Sequence, residues 1–417
     1  MAGAGMTQKI LARRAGVSSV QPGQIVTVDV DCAVVLDLNF YQGHWVEPKR
    51  VFDPDKAVVI YDHVVPAPTR KVGGALERGR EFARRVGITK FHDVGAEQGI
   101  CHQLIADVPY ARPGEILVCC DSHTCSAGAL NSASRGIGEA ELIYVLATGK
   151  TWFQVGETVR YELQGTLADG VTAKDVFLHI AGRYGDHVGY NMEFGGSGLA
   201  SLSMDQRRSI ATMCAEVSAD FAVFEGDEIL AAHLAERGVE AEFVFPDEDA
   251  EYLDVRVLDL GEVEPMIALP HQVVGDHSVP ISSVQGRKVS RAFIGSCSNG
   301  TLEDLRAAAE VLAGRTVHPE VTLLITPSSQ QIYREAAADG TIATLSAAGA
   351  LVTTSSCSMC AGAINALASN EVCITSSTRN FAGRMGSPNA EIYIASSTNV
   401  AAAAVAGEIV DARAFAR

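Results

Sequence analysis

The chain has 417 residues, 47% of them hydrophobic and 20% charged, which is the composition of a globular protein too long for one ordinary core. Its formal net charge of −17 disfavours binding to the phosphates of nucleic acids. No apolar run approaches the roughly 18 residues of a membrane helix, so we expect a cytoplasmic protein that binds neither nucleic acid nor membrane.

Short apolar runs alternate with amphipathic stretches along the first part of the chain. Residues 6–16 predict a helix that ends at Gly16, and strands are predicted over QIVTVDV and KAVVIYDH. A helix over LERGREFARRVG, which ends in glycine, precedes strands at ITKFHDVG and EILVCCDSHT. This alternation predicts an α/β fold, in which active sites lie at the carboxyl ends of strands.

Two breaks divide the sequence into three predicted domains, 1–156, 157–284 and 285–417. After Gly156, the segment 157–182 predicts a strand, a turn and a helix, and residues 262–290 resemble a linker. The last segment again alternates, with strands at RAFIGSCSNG, VTLLITP and ALVTTSSC and a helix over 302–313. Its alanine-rich end predicts a packing helix.

Three cysteines follow predicted strands of the last segment. Cys297 lies on a Gly/Ser/Asn turn, and Cys357 and Cys360 form a Cys-x-x-Cys pair. The chain has ten cysteines without the dense spacing of a secreted disulfide scaffold, which favours reduced thiols. Three such thiolates can ligate three irons of a 4Fe-4S cluster and leave the fourth open. Spacing alone equally allows a buried or redox-active pair with Cys297 as a bystander.

Histidines occur at three predicted strand ends in the first 125 residues: Asp62-His63, His102, and Asp121-Ser122-His123. An Asp that accepts the imidazole N–H fixes the tautomer and raises the basicity of the ring. A single histidine among apolar residues is more often a core residue, whereas three such ends indicate a proton-transfer site.

Two arginines, Arg379 and Arg384, lie five residues apart in the Gly/Ser-rich stretch SSTRNFAGRMGS. Their guanidinium groups suit bidentate binding of a dicarboxylate. Either one alone could equally be a surface arginine in a loop.

Taken together, these motifs resemble the large subunits of the aconitase superfamily, in its isopropylmalate dehydratase and homoaconitase branch. They occur in family order over nearly the whole chain: MTQKILARRAG, YDHVVPAP, GICHQ, DSHT, TAKDVFLHI, GSCSN, CSMCAG and RNFAGR. The resemblance implies three α/β/α domains around one 4Fe-4S cluster per subunit. It also implies a hydro-lyase that reversibly dehydrates and rehydrates a 2-hydroxy di- or tricarboxylate, with isomerisation of 2- and 3-isopropylmalate in leucine biosynthesis as the expected reaction.

The resemblance assigns roles residue by residue. The iron ligands would be Cys297, Cys357 and Cys360, which leaves one iron without a cysteine. The catalytic residues would be Asp62, His63, His102, Asp121, His123 and Glu216. The substrate would be bound by Ser122, Arg379 and Arg384. His63, paired with Asp62, would protonate the departing hydroxyl, and Glu216 matches the family's acidic residue near the open iron.

One role and three positions depart from the family pattern. The family's base is a serine in a loop of the form YGSGSSR, which this chain lacks, so the resemblance implies a separate small subunit with a swivelling domain. The stretch LDLNFYQGHW (36–45) replaces an HDGT- or HDVT-like motif, and Thr212 and Thr378 stand where asparagines ordinarily approach the cluster. These departures leave room for a homoaconitase or for a hydratase of maleate, citraconate or dimethylmalate.

Two functions of other classes remain as alternatives. A zinc or dithiol protein built on Cys357 and Cys360 leaves the Asp-His pairs and the arginines unexplained. RNA binding occurs in this superfamily when the cluster is lost, but the net charge of −17 speaks against it here.

Overall fold

The computed structural model describes residues 3–43, 46–240, 242–357 and 359–415. Three sheets of mainly parallel strands, covered by helices, form its framework, which confirms the α/β class. His44 and Trp45, the end of the 36–45 stretch, lie outside the described residues. No helix in the described ranges is both long and apolar enough to span a membrane.

The first part of the chain forms a parallel sheet with helices on it. Its elements are α1 Met6–Ala15, β1 Ile25–Asp29, β2 Cys32–Leu36, β3 Ala57–Ile60, α2 Arg70–Val86, β4 Phe91–His92, α3 Cys101–Asp107, β5 Ile116–Cys119, β6 Ala133–Gly136, α4 Glu139–Thr148 and β7 Lys150–Gln154. The sheet has the order β4-β3-β2-β5-β6, and β1 pairs with β7 in a separate antiparallel ribbon.

The middle part forms a second parallel sheet. Its elements are β8 Glu157–Gln164, α5 Ala173–Tyr184, β9 Tyr190–Gly195, α6 Met204–Met213, β10 Ala222–Phe224, α7 Glu228–Ala235 and β11 Asp254–Asp259. The strand order is β10-β9-β8-β11. The predicted strand, turn and helix after Gly156 are thus confirmed as β8 and α5.

The last part forms the largest sheet. Its elements are β12 Met266–Ala268, β13 Ser278–Pro280, β14 Arg291–Ile294, α8 Leu302–Leu312, β15 Thr322–Ile325, α9 Gln330–Ala338, α10 Thr341–Ala347, β16 Leu351–Val352, β17 Val372–Thr375, β18 Glu391–Ala395 and α11 Ser397–Ala406. The order is β13-β12-β18-β17-β14-β15-β16, in which β14 to β18 are parallel and β12 is antiparallel to both of its neighbours.

Local sequence explains where these elements begin and end. Strands β2, β3 and β5 are buried at every position, so each is an unbroken apolar run rather than an alternating one. Gly16 and Gly87 end α1 and α2 with φ of 70° and 81°, a conformation that glycine adopts without a steric penalty.

The predicted linker at 262–290 contains strands instead. β12 and β13 pair with each other, and β12 joins the third sheet at β18. Three-residue strands beside Pro265, Pro270 and Pro280 are too short to produce a recognisable period, which is why the sequence indicated a linker. The third sheet therefore begins before residue 284, and the domain boundaries 1–156, 157–284 and 285–417 stay a prediction.

The carboxyl ends of the first and third sheets face each other. The backbone N–H of Cys357, after β16, donates to the carbonyl of Asp62, after β3, at 2.8 Å. The N–H of Ile100 donates to the carbonyl of Ser328 at 2.8 Å, next to a bridge between Gly99 and Ser329. Polar residues that follow strands of two different sheets are thereby brought into one place.

Candidate active site

One cavity of about 200 Å³ lies between these strand ends. Its wall contains ten of the residues singled out in the sequence: Asp62, His63, His102, Asp121, His123, Cys297, Cys357, Cys360, Arg379 and Arg384. The remaining two, Ser122 and Glu216, form hydrogen bonds to Arg379 on that wall. The structure thus brings together all of the predicted site residues.

His63 is held between two carboxylates. Its Nδ1 lies 2.7 Å from Oδ1 of Asp62, and its Nε2 lies 3.4 Å from Oδ2 of Asp121. Burial disfavours the imidazolium, but the negative charges of Asp62 and Asp121 outweigh it and raise the pKa of His63 well above its usual value. The two carboxylates therefore favour the protonated form of the His63 ring.

Asp37, which sequence reasoning missed, fixes the loop that carries His63. Its carboxylate accepts the backbone N–H groups of Asp62 at 3.1 Å, His63 at 3.0 Å and Val64 at 2.9 Å. Burial raises the pKa of Asp37. The signal in the sequence was an aspartate directly after the apolar run CAVVL, at the end of β2.

Asp121 is the centre of a histidine cluster. Its Oδ1 accepts from Nε2 of His102 at 2.8 Å and from the backbone N–H of His123 at 2.7 Å. Burial acts to raise the pKa of Asp121, but the surrounding histidines outweigh it and hold that pKa well below its usual value. One ionised carboxylate therefore orients all three predicted histidines.

Glu216 links the histidines to Arg379. Its Oε1 accepts from Nε2 of His123 and from Nε of Arg379, both at 2.8 Å, while Arg379 also donates to Oγ of Ser122 at 2.6 Å. Burial opposes ionisation of Glu216, but His123 and Arg379 outweigh it and lower its pKa. These bonds set the direction of the Arg379 guanidinium.

The three cysteines are buried and share the cavity wall. Cys360 lies 3.5 Å from Nη2 of Arg384 and 3.8 Å from Oγ1 of Thr378. A hydrogen bond from Cys357, together with the Arg384 guanidinium, holds the pKa of Cys360 well below its usual value. Cys297 follows the turn Gly295-Ser296, and its carbonyl accepts from Nη1 of Arg208 at 3.1 Å.

The two threonines that depart from the family pattern lie in different surroundings. Thr378 lines the cavity, whereas the hydroxyl of Thr212 donates at 2.7 Å to the carbonyl of Arg208 in its own helix, α6. From the 36–45 stretch, Leu38 reaches the cavity wall.

Lys174 is a second residue that sequence reasoning did not single out. It lies on α5 within the TAKD motif, where a lysine in an amphipathic helix gives no signal of burial. Burial lowers the pKa of Lys174 to about 8.

The chain is similar to known proteins over nearly its whole length. The Aconitase family (aconitate hydratase) matches residues 58–407. The chain is 51% identical over 413 residues to the "3-isopropylmalate dehydratase large subunit" of Mycolicibacterium smegmatis, covering 98% of this chain and 97% of that one. It is 39% identical over 418 residues to the "3-isopropylmalate dehydratase large subunit 1" of Methanopyrus kandleri, covering 98% and 99%. It is also 39% identical over 416 residues to the "Probable methanogen homoaconitase large subunit" of Methanothermobacter thermautotrophicus, covering 97% and 96%.

Proposed function

The chain belongs to the aconitase family and is a hydro-lyase, and we propose that it is the large subunit of an enzyme that interconverts 2- and 3-isopropylmalate. One observation carries the proposal: acid–base residues, three cysteines and two arginines surround a single cavity. The names of the relatives from Mycolicibacterium smegmatis and Methanopyrus kandleri support the choice of substrate.

Family membership implies an iron–sulfur cluster, and the residues present suit one. Cys297, Cys357 and Cys360 would hold three irons of a 4Fe-4S cluster, because thiolates are soft ligands that match iron and sulfide. The lowered pKa of Cys360 favours a thiolate that can bind iron, and the nearby Arg384 guanidinium would offset the negative charge of the thiolate-bound cluster. When bound, the cluster supplies a Lewis-acidic iron that polarises the substrate hydroxyl.

His63 is proposed as the general acid. Its Nδ1 lies 2.7 Å from Asp62 and its Nε2 lies 3.4 Å from Asp121, so Nε2 is the less tightly held nitrogen, from which a proton would pass to the departing hydroxyl. Asp37 holds the backbone of this loop in place through three N–H groups. Asp121, His102 and His123 would order the released water through their shared hydrogen bonds.

The arginines are proposed to bind the substrate carboxylates. Glu216 and Ser122 orient Arg379. The Nε of Arg384 is buried and has no hydrogen-bond partner among the described residues, so a carboxylate oxygen would satisfy it. Both guanidinium groups would also stabilise negative charge as it develops beside the carboxylate.

A separate small subunit is proposed to complete the site. The relatives are named as large subunits, and this chain lacks a YGSGSSR-like loop that could provide a serine base. The partner would contribute the base and further contacts to the substrate.

Leu38 favours a substrate with an alkyl branch. Its side chain is 39% exposed and lines the cavity together with Ile100 and Ala361. An apolar wall of this kind suits an isopropyl group better than the additional carboxylate of a homocitrate-type acid.

The test is anaerobic reconstitution of the chain with iron, sulfide and its small subunit, followed by kinetics on a panel of acids. The panel contains 3-isopropylmalate, dimethylmalate, citraconate, maleate and homoaconitate. We expect the highest kcat/KM with 3-isopropylmalate, and Leu38→Ser should lower that value about tenfold while changing the value for maleate far less.

Leu253→Ser, at an exposed leucine outside the cavity, is the matched control and should leave all values unchanged. A higher kcat/KM with homoaconitate than with 3-isopropylmalate would instead identify the chain as a homoaconitase large subunit. Absence of turnover with every acid, in the presence of the small subunit, would refute the proposed activity.

A further inference from the structure

Lys174 is fully buried, with an exposed fraction of 0%. It lies near the start of α5, in the middle part of the chain. Lysine is almost never fully buried unless a counter-charge accompanies it. Its position therefore requires an explanation that the packing of α5 does not provide.

The ammonium of Lys174 connects three separate segments. Its Nζ donates to Oγ of Ser298 at 2.8 Å, to the carbonyl of Ser377 at 3.3 Å and to Sδ of Met213 at 3.3 Å. Ser298 follows Cys297, and Ser377 precedes Thr378 on the cavity wall. Three acceptors match the three N–H donors of a protonated lysine.

All of these acceptors are neutral. Among the described residues no carboxylate lies within ion-pair distance of Lys174. The carboxylate of Asp304, the nearest in electrostatic effect, instead accepts from Asn299, Gly300, Thr301 and Ser397. A buried cation with neutral partners is costly, so the protein without its cluster is destabilised by this residue.

A cluster bound by the cysteines would provide the missing negative charge. Lys174 donates to Ser298, next to Cys297, and to Ser377, next to Thr378 on the cavity wall, so a cluster held by three thiolates would place negative charge near its ammonium. We propose that Lys174 is the fixed counter-charge of the iron–sulfur centre, which raises its reduction potential and its retention. The inference rests on the cluster site proposed above.

The test removes the positive charge of Lys174 while keeping a long, unbranched side chain. Lys174→Met places an unbranched apolar chain next to Met213, and Lys174→Arg retains the charge. Lys288→Met is the matched control, because it removes the same unit of charge from an exposed lysine that precedes β14, at the opposite end of this strand from Cys297. The readouts are the reduction potential of the reconstituted cluster, its loss to a chelator, and the melting temperature of the cluster-free chain.

For Lys174→Met we expect a more negative reduction potential and loss of the cluster to chelator that is about tenfold faster. We also expect a melting temperature of the cluster-free chain that is unchanged or higher. Lys174→Arg should retain the cluster better than Lys174→Met, and Lys288→Met should match the unmodified protein. A Lys174→Met chain that retains no cluster, but has the melting temperature of the cluster-free unmodified chain, would also support the proposal.

An unchanged potential and an unchanged rate of loss in Lys174→Met would overturn it, as would a cluster-free Lys174→Met chain that fails to fold, because the lysine would then be structural. If the unmodified protein itself binds no cluster, the proposed function fails rather than this inference alone.

Discussion

At the scale of single residues, the setting of His63 determines how the site depends on pH. The proposed acid must be protonated, so dehydration should slow as the pH rises through the pKa of His63. Asp62 and Asp121 raise that pKa against the effect of burial. The reaction should therefore stay fast to a higher pH than an ordinary histidine would allow.

Asp62→Asn tests this relation. Removing the charge lowers the pKa of His63, so the alkaline limb of kcat should move to lower pH, with a loss in maximal rate of about a hundredfold or more. The measurement is kcat against pH for the reconstituted complex. Asp93→Asn, which alters a half-exposed ion pair with Arg80, should leave the limb in place. An unmoved limb in Asp62→Asn would exclude His63 as the acid.

The site residues were predictable to different degrees. His63 and His123 could be found because each occurs in a polar motif a few residues after a strand, and Cys297 because it follows an apolar strand. His102, which was predicted at a strand end, lies instead in the first turn of α3. The geometry brings these residues together as predicted, whereas their chemical roles stay predictions. Lys174 and Arg208 could not be found, because burial of a charged residue on a helix depends on what other parts of the chain pack against it.

At the scale of secondary-structure elements, the end of β2 supports the loop after β3. Asp37 accepts three consecutive backbone N–H groups in residues 62–64 and is itself buried. A carboxylate is an acceptor at both oxygens, whereas an asparagine would present an N–H₂ group to one of these donors. The loop therefore depends on both acceptor oxygens as well as on the shape of the side chain.

Asp37→Asn should lower the free energy of unfolding by about 1–3 kcal/mol, because one buried N–H loses its acceptor. It should also lower kcat about tenfold or more by displacing His63. Urea unfolding and steady-state kinetics measure the two effects. Asp53→Asn, which changes the cap of the short helix Pro54–Lys56, should alter either quantity little. Equal behaviour of the two variants would contradict the role of Asp37.

Secondary-structure prediction succeeded where a periodic hydrophobic pattern extended over many residues and failed where the segment was short. The helices α1 and α8 and the strands β5 and β14 follow their predicted positions closely, whereas α2 begins at Arg70, six residues before its predicted start. The strand predicted at ITKFHDVG consists only of Phe91–His92. The strand predicted at EILVCCDSHT ends at Cys119, and the short helix Ser122–Leu130 follows Asp121. Such turns are set by side-chain caps, here the acceptance by Asp121 of the His123 N–H.

At the scale of the whole molecule, the site is divided between two sheets that are distant in sequence. The first sheet supplies the histidines and aspartates, and the third supplies the cysteines and arginines, while Glu216 comes from the middle part of the chain. The parallel strands place each set at a carboxyl edge, and the contact between Cys357 and Asp62 joins the edges. Neither sheet alone would form the proposed cluster and acid–base site.

Cys360 and Cys373 offer a matched pair for testing the ligand assignment. Both are buried, but Cys360 lines the cavity, whereas Cys373 lies within β17 and burial raises its pKa to about 12. Cys360→Ser should therefore lose the cluster while Cys373→Ser keeps it.

Mössbauer spectroscopy of oxygen-free protein reconstituted with ⁵⁷Fe tests the three-cysteine cluster most directly. The account predicts about four irons and four sulfides per chain, with one iron whose spectrum changes when substrate is added, and no such centre in Cys360→Ser. Three results would contradict the account: a zinc-loaded protein without iron, a cluster retained by Cys360→Ser, or four irons whose spectra are all unchanged when substrate is added.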